Sequence, residues 1–224
     1  MAVAVVIQLD ANSFADAEAP DTTAEDTIQD AVRALKGVNP RPDFALGSQI
    51  QDQNAIQITT EQNYHQNGLG YETALEFSPF LKTVRSLCGE PLNIFHVALN
   101  RPAFGPDGPA MAKVVEFVLS YFPVSRVTPD FRKQVQDDFL RFDEIYSPAV
   151  TGSQSWASGW LLEDQMHEGL NGEIAKCFLV VRGWDSMDHF EASIKSDAYK
   201  QAIPLLLAWN TPWKMYDFKD FTRE

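Results

Sequence analysis

Four histidines and six tyrosines are the side chains of this sequence best suited to moving a proton near neutral pH. His96 lies inside an apolar, β-prone run, Leu92–Leu99 (LNIFHVAL). A partly desolvated imidazole there would have a lowered pKa and stand neutral near pH 7, able to take a proton from an acidic phenol or an activated carbon. It could equally be a core histidine tied to a hydroxyl or a carbonyl. His65 and Tyr71 fall on an irregular stretch, Asn63–Leu75, rich in glycine and polar aromatics. That stretch reads as a lid carrying a second acid–base group or an oxyanion donor, or as plain surface loop. Tyr121 and Tyr199 could hold a substrate carbonyl between two phenols, or be amphipathic core residues. Arg182, ending an apolar strand, could meet an anionic substrate or pair with Asp185 at a rim. Trp156 and Trp160 share one side of a strand and read first as a seam between two sheets, second as a stacking platform. His167 and His189 read as solvated.

Several chemistries lack their signatures. No glycine-rich phosphate loop follows a strand, no GxSxG elbow occurs, and no histidine or carboxylate cluster has metal-ligand spacing. The expectation is therefore no cofactor and no metal, with a haem held by a single histidine left open. A net charge of −13 repels phosphate backbones and anionic headgroups, which disfavours nucleic acid and membrane surfaces as partners. The acidic residues between Asp16 and Asp30 read as a solvated helix face and its lead-in. Cys88 and Cys177 read as buried thiols in a reducing compartment. The opening MAVAVVIQLDA lacks a basic flank and stops at Asp10, so it reads as a strand and not as a signal or membrane segment. A cytoplasmic location is expected.

The elements that must hold these residues occur twice. Ala2–Leu9 is a strand, Thr22–Glu25 a capping box, and Ile28, Val32 and Leu35 the inward stripe of a helix that Gly37 ends. Phe44–Gln51 and Ala55–Glu61 form a hairpin, Ser78-Pro79 starts a helix with Phe80, Val84 and Leu87 inward, and Leu92–Leu99 closes the copy. The order recurs after the linker 102–111, which contains PAFGPDGP. Val114–Phe122 is a strand and Thr128-Pro129 starts a helix with Phe131, Val135, Phe139 and Phe142 inward. Ser153–Leu162 and Ile174–Arg182 are the middle strands. Asp185 or Ser186 opens a helix, a second helical stretch runs through Leu205, Leu206 and Trp209, and Trp213–Phe218 is the closing strand. Gly89-Glu90-Pro91-Leu92 lies over Asn210-Thr211-Pro212-Trp213 without a gap. Each half, 1–101 and 112–224, reads as a ferredoxin-like βαββαβ unit. Strands apolar on both sides need cover on the face without helices, so the fold class is α+β, two antiparallel sheets packed face to face in a covalent pseudo-dimer.

VEFVLSYFPVSRVTPDF, GWDSMDHF and WNTPWKMYDF resemble the opening strand, second helix and last strand of the dimeric α+β barrel superfamily. That superfamily includes stress-responsive A/B-barrel proteins, small polyketide cyclases and the antibiotic-biosynthesis monooxygenases. The resemblance implies a cavity between helices and sheet. In the cyclase branch a histidine and a tyrosine of the second helix region and a histidine of the third strand catalyse; here Tyr199, Ser193 and Phe178 stand at those positions. The resemblance places Phe117, Leu119, Tyr121, Val135, Phe139, Trp213 and Met215 on the second cavity, and Val5, Ile7, Leu9, Leu92, Ile94 and His96 on the first. The expectation is a cofactor-independent cyclase or isomerase acting on a hydrophobic aromatic or polyketide-like small molecule, as a monomeric pseudo-dimer or a homodimer. His96 would be the base, with Tyr71 or His65 its partner, and Tyr121, Phe139, Phe178, Arg182, Tyr199 and Trp213 would bind substrate. A cofactorless quinol or anthrone monooxygenase and a non-catalytic binding protein are the alternatives.

Overall fold

The computed structural model describes residues 2–10, 24–39, 43–63, 79–105 and 107–220. In these the chain runs β1 (Ala2–Asp10), α1 (Ala24–Lys36), β2 (Phe44–Gln49), β3 (Ala55–Asn63), α2 (Pro79–Cys88) and β4 (Asn93–Leu99). It continues through β5 (Val114–Pro123), α3 (Pro129–Tyr146), β6 (Ser153–Leu161), β7 (Gln165–Met166), β8 (Ile174–Trp184), α4 (Met187–Ile194), α5 (Asp197–Leu207) and β9 (Trp213–Asp220). The caps explain several boundaries. Thr128, Ser186 and Ser196 each accept a backbone N–H of the first turn of α3, α4 and α5. Gly89 (φ 71°) and Asn210 (φ 47°), aligned in the two copies, both take the left-handed turn that leads from a helix into a closing strand. Thr22 and Thr23 of the expected capping box, and His65 and Tyr71, lie outside the described residues.

Every pairing among the described strands is antiparallel. The order β5-β9-β2-β3-β1-β4-β6-β8 returns to β5 through the β5–β8 ladder, so eight strands close into a barrel, with β7 a short addition beside β8. Within it each unit keeps the ferredoxin-like order, β4-β1-β3-β2 and β9-β5-β8-β6. The two sheets face each other, and the structure adds that they are also joined at both edges, by β2–β9 and β4–β6. Closure pairs the edges that two separate sheets would have left open.

Closure sorts the apolar residues into three layers. Phe95, Val97, Phe117, Leu119, Leu179 and Phe218 fill the barrel. Outside it, α1 and α2 set Val32, Leu35, Phe80 and Val84 on Val5, Ile7 and Ile58. Over the second sheet, α3, α4 and α5 press Phe139, Phe142, Phe190 and Ala202 onto Phe122, Trp160, Phe178 and Trp184. Full burial of each such large side chain is worth about 1.5–3 kcal/mol, so these layers carry most of the stability.

Several expected placements differ. Phe117, Leu119 and Tyr121 point into the barrel, and Val114, Val118 and Phe122 point to the helices. The strand is apolar on both faces, so alternation could not tell them apart. Trp156 and Trp160 lie under the helices and not between the sheets. Leu92 precedes β4 and is 72% exposed. The connection after β4 is no loose tether: Ala103, Phe104, Ala110 and Ala112 are buried in the interior layer. Glu61 fixes it by accepting the Ala103 and Phe104 N–H groups at 2.7 and 3.2 Å.

Candidate functional site

The most concentrated polar chemistry lies under the helices of the second unit, in one row across four strands. Trp156 (β6) pairs with Arg182 (β8), Arg182 with Glu116 (β5), and Glu116 with Asp217 (β9). Cross-strand partners share a face, so all four look toward the helices. Arg182, 3% exposed, is held by α3 and the turn behind it. Its Nη2 reaches Asp143 Oδ1 at 2.5 Å, and its Nη1 donates to Ser147 Oγ at 2.9 Å and to Ser153 Oγ at 3.0 Å. Trp156 Nε1 donates to the other Asp143 oxygen at 2.6 Å, so that carboxylate is fully engaged.

Glu116 is different. Its carboxyl accepts one strong hydrogen bond, from Trp184 Nε1 at 3.0 Å. Burial pushes its pKa up from 4.5 to about 7; the Trp184 N–H and the Arg182 charge oppose that rise, and Asp217 adds to it. Protein surrounds the carboxyl closely, yet Glu116, Val118, Tyr199 and Met215 all keep some accessible surface. These four are half-buried, so the layer is thinly covered beside Glu116. Tyr146 and Tyr199 stand beside it with ring centroids 5.8 Å apart. The Tyr146 hydroxyl bonds Ser193 Oγ at 2.5 Å, and burial pushes its pKa up to about 12. Burial and the Glu116 charge raise the Tyr199 hydroxyl as well, so both phenols remain donors at neutral pH. A carboxyl close to half-ionised at pH 7, beside a fixed guanidinium and two protonated phenols, is suited to general acid–base work.

Asp217 is 0% exposed. Its Oδ2 accepts from Gln51 Nε2 at 2.6 Å, its backbone N–H donates to Gln51 Oε1 at 3.2 Å, and its Oδ1 has no hydrogen-bond partner among the described residues. Burial raises its pKa against the hydrogen bond from Gln51. Gln51 belongs to the first unit, in the loop after β2, where Ile50 N also donates to Asp217 O at 2.7 Å.

Of the residues expected to bind substrate, the structure gathers Phe139, Phe178, Arg182 and Tyr199 in this layer. Tyr121 is inside the barrel, its ring 4.6 Å from that of His167. Trp213 is on the helix side of β9 but 55% exposed. His96 is buried on the helix side of the first unit, across from Val5. There it is no free imidazole: Nδ1 bonds Glu163 Oε1, and its backbone N–H donates to Glu163 Oε2 at 2.9 Å. Burial works to raise the Glu163 carboxyl, but the hydrogen bonds from His96 outweigh it and hold the carboxyl below the usual range. The open hollow expected under each set of helices is filled by packed side chains in the described residues. The cavity they do enclose, about 20 Å³ between Gly47, Gln57, Thr59, Phe117 and Asp220, is inside the barrel and has room for a water and no more. Glu116, Tyr146, Trp184, Asp217 and Gln51 were not singled out from sequence. The signal for the first was present: a charge in the apolar strand VVEFVLSYF must be buried, and buried charges are rare.

These ladders and layers define the class: the fold is that of the dimeric α+β barrels, with two ferredoxin-like units in one chain. Among solved structures, a candidate monooxygenase from Lactobacillus acidophilus is similar to it, with a TM-score of 0.55 at 10% identity over 98% of this chain and 93% of that one. A candidate monooxygenase from Fusobacterium nucleatum gives 0.54 at 11% over 98% and 92%. A heme-binding protein from Thermus thermophilus gives 0.51 at 12% over 98% and 90%. At such identities the likeness shows the fold. No protein-family model and no curated protein matches the sequence.

The layer around Glu116 does not fit a haem: it offers no histidine turned toward Glu116, His189 is turned to Ser186 and Gly152, and Trp184, Phe190 and Tyr146 fill it. Among the described residues no group of His, Cys, Asp or Glu is arranged for a metal ion, and no helix is long and apolar enough to cross a membrane.

Proposed function

We propose that this protein is a cofactor-independent enzyme of proton transfer, a cyclase or isomerase acting on a hydrophobic aromatic or polyketide-like small molecule. Glu116 is its general base. The observation that carries this reading is a carboxyl with a pKa near 7 set among aromatic side chains under the helices of the second unit, on a residue that is half-buried. In the reaction, ionised Glu116 removes a proton from a carbon activated by an adjacent carbonyl, or from a phenol. The carbonyl oxygen that gains charge takes a hydrogen bond from Tyr199, whose hydroxyl stays protonated. Returning the proton at another carbon completes an isomerisation; attack of the enolate carbon on a second carbonyl of the same chain, whose oxygen then takes the proton back from Glu116, completes a cyclisation and restores the base. Apolar walls that hold a flexible chain folded favour the second course. Phe139, Phe178 and Arg182 shape and fix the floor. The site is proposed to work in the cytoplasm, in a chain that supplies both halves of its own barrel.

The test is turnover of enolisable aromatic and polyketide-type ketones as a function of pH. The reading expects kcat/KM to rise through an apparent pKa near 7 and to fall at least about 100-fold in Glu116→Gln, the usual scale of general-base catalysis. Absence of turnover across the panel, with ligands still bound, would leave a binding protein. The fold's occurrence in candidate monooxygenases favours one second reading, in which the same base deprotonates a quinol or anthrone that dioxygen then oxidises. Oxygen uptake stoichiometric with product separates the two.

A further inference from the structure

The alignment that lays Gly89 over Asn210 also lays His96 over Asp217. The structure gives those two residues the same fitting. After β6, Leu162 N donates to His96 O, and the Glu163 side chain accepts the His96 backbone N–H and bonds its ring. After β2, Ile50 N donates to Asp217 O, and the Gln51 side chain accepts the Asp217 backbone N–H and bonds its carboxyl. Gly159 and Gly47 precede the two clamps at equal spacing, each against the backbone of the other unit. A Cβ there would stand 2.1 Å from Ala98 O and 2.5 Å from Lys219 O. Both seams of the barrel are therefore closed by one device, a side chain from one unit clamping the closing strand of the other.

The copies differ in charge. At the first seam a glutamate faces a histidine, and the residue across the ladder is Val5. At the second, a neutral amide faces an aspartate, and the residue across the ladder is Glu116. Two carboxyls thus lie side by side under the helices. Gln51 satisfies one Asp217 oxygen, and the other, fully buried, has no partner among the described residues. A buried carboxylate oxygen without a partner is costly, and protonation of one member of the pair lowers that cost.

We propose that Glu116 and Asp217 form a carboxyl pair holding one proton between them at neutral pH, and that Gln51 of the first unit is the positioning residue that keeps Asp217 in it. The site is then composite. Glu116 is the member that meets substrate, while Asp217, shut away from solvent, acts through Glu116 by supplying or withdrawing negative charge beside it. The other charged and titratable groups of this layer are Arg182, which pulls against the rise, Asp143, which is spent on Arg182, and the phenols of Tyr146 and Tyr199. This rests on the reading of Glu116 as the base and says what sets its proton affinity.

The test needs no substrate. The whole protein, labelled with 13C at glutamate and aspartate carboxyls, is titrated by NMR, with the Glu116 signal assigned by its loss in Glu116→Gln. Asp217→Asn removes the neighbouring charge and is expected to lower the Glu116 midpoint. Gln51→Met removes the N–H that favours ionised Asp217, leaves the proton on Asp217, and is expected to move the same midpoint downward by a smaller amount. An unchanged Glu116 midpoint in a folded Asp217→Asn protein overturns the proposal. If Asp217→Asn does not fold, an unchanged midpoint in Gln51→Met does so. The outcomes are separable from those of the proposed function: a coupled titration without turnover keeps the pair and sinks the enzyme, and turnover that needs Glu116 but a midpoint blind to residue 217 does the reverse.

Discussion

Replacing Glu116 by glutamine should stabilise this protein at pH 8 and leave it nearly unchanged at pH 4.5. The pKa of Glu116 is ordinary, 4.5, in the unfolded chain and about 7 in the folded one. Below 4.5 both states hold the proton and ionisation costs nothing. Between 4.5 and 7 the unfolded chain ionises while the folded protein does not, so folding loses ground with each pH increment. Above 7 both are ionised, and the folded state carries the whole cost of a charge in that layer. At 1.36 kcal/mol per pH unit, the interval corresponds to about 3 kcal/mol. A glutamine keeps an oxygen for Trp184 Nε1, so the one hydrogen bond of this carboxyl survives the substitution.

The assay is urea unfolding of both proteins at pH 4.5, 6 and 8, followed by intrinsic tryptophan fluorescence and read as the difference between variant and parent. That difference cancels every group that titrates independently of Glu116, leaving Glu116 and the Asp217 coupled to it. It should grow in favour of the variant by about 3 kcal/mol from pH 4.5 to 8, or about 6–12 °C in Tm for a chain of this size. A difference flat with pH would refute the reasoning, because it would mean that the carboxyl ionises in the folded state as readily as in water. A difference of opposite slope would mean that Arg182 outweighs burial.

Four other outcomes follow from the same structure. Arg182→Met should cost about 3 kcal/mol by leaving the half-buried Asp143 without its cation, and adding Asp143→Leu should recover most of it, as a double-mutant cycle by denaturation would show. Gly159→Ala should part the β4–β6 seam, since its Cβ would stand 2.1 Å from Ala98 O; hydrogen exchange should accelerate at the Asn100 and Leu162 amides that bridge the seam. Gly172→Ala, with φ +83° and nothing within 4 Å, should cost only about 1 kcal/mol and leave those amides protected. Glu163→Gln should destabilise at pH 7 and lose that effect in acid: the folded carboxyl lies below its ordinary value, so its contribution is present above 4.5 and disappears as pH falls through the folded pKa.

What the sequence disclosed and what it hid divide along physical lines. The starts of α3 and α4 were legible because Thr128 and Ser186 cap by local hydrogen bonds, and the duplication was legible because the same helix-to-strand turn needs Gly89 in one copy and Asn210 in the other. The inward stripes of α1, α2 and α3 followed from spacing alone. The face of β5 did not, because the strand is covered by the barrel interior on one side and by helices on the other, and both demand apolar residues. The misplacement of Phe117, Leu119 and Tyr121, and the neglect of Glu116 beside them, are one error. His96 was conspicuous as a histidine in an apolar run, but its partner Glu163 comes from the other unit, and no local pattern announces a partner across a seam. Asp217 was hidden for the same reason: its clamp, Gln51, lies in the opposite half of the chain.

Fusion of the two units is what permits this division of labour. In a symmetric pair of identical chains, any residue placed at the Glu116 position appears at Val5 as well, and any acid at Asp217 appears at His96. Two carboxyl pairs would then be buried, at about twice the desolvation cost, with no cation beyond the local arginine to relieve them. In one chain the copies are free to differ. The first seam keeps a histidine against a glutamate, a combination that gains from being clamped, and the opposite position across the ladder is a valine that packs on α1 and α2. The second seam can then hold a carboxyl pair whose destabilisation falls on one unit only, with the first unit supplying both the stable closure and, through Gln51, the hydrogen bonds that keep Asp217 in place. On the proposed function, this asymmetry is what sets the reactive side of the barrel in the second unit.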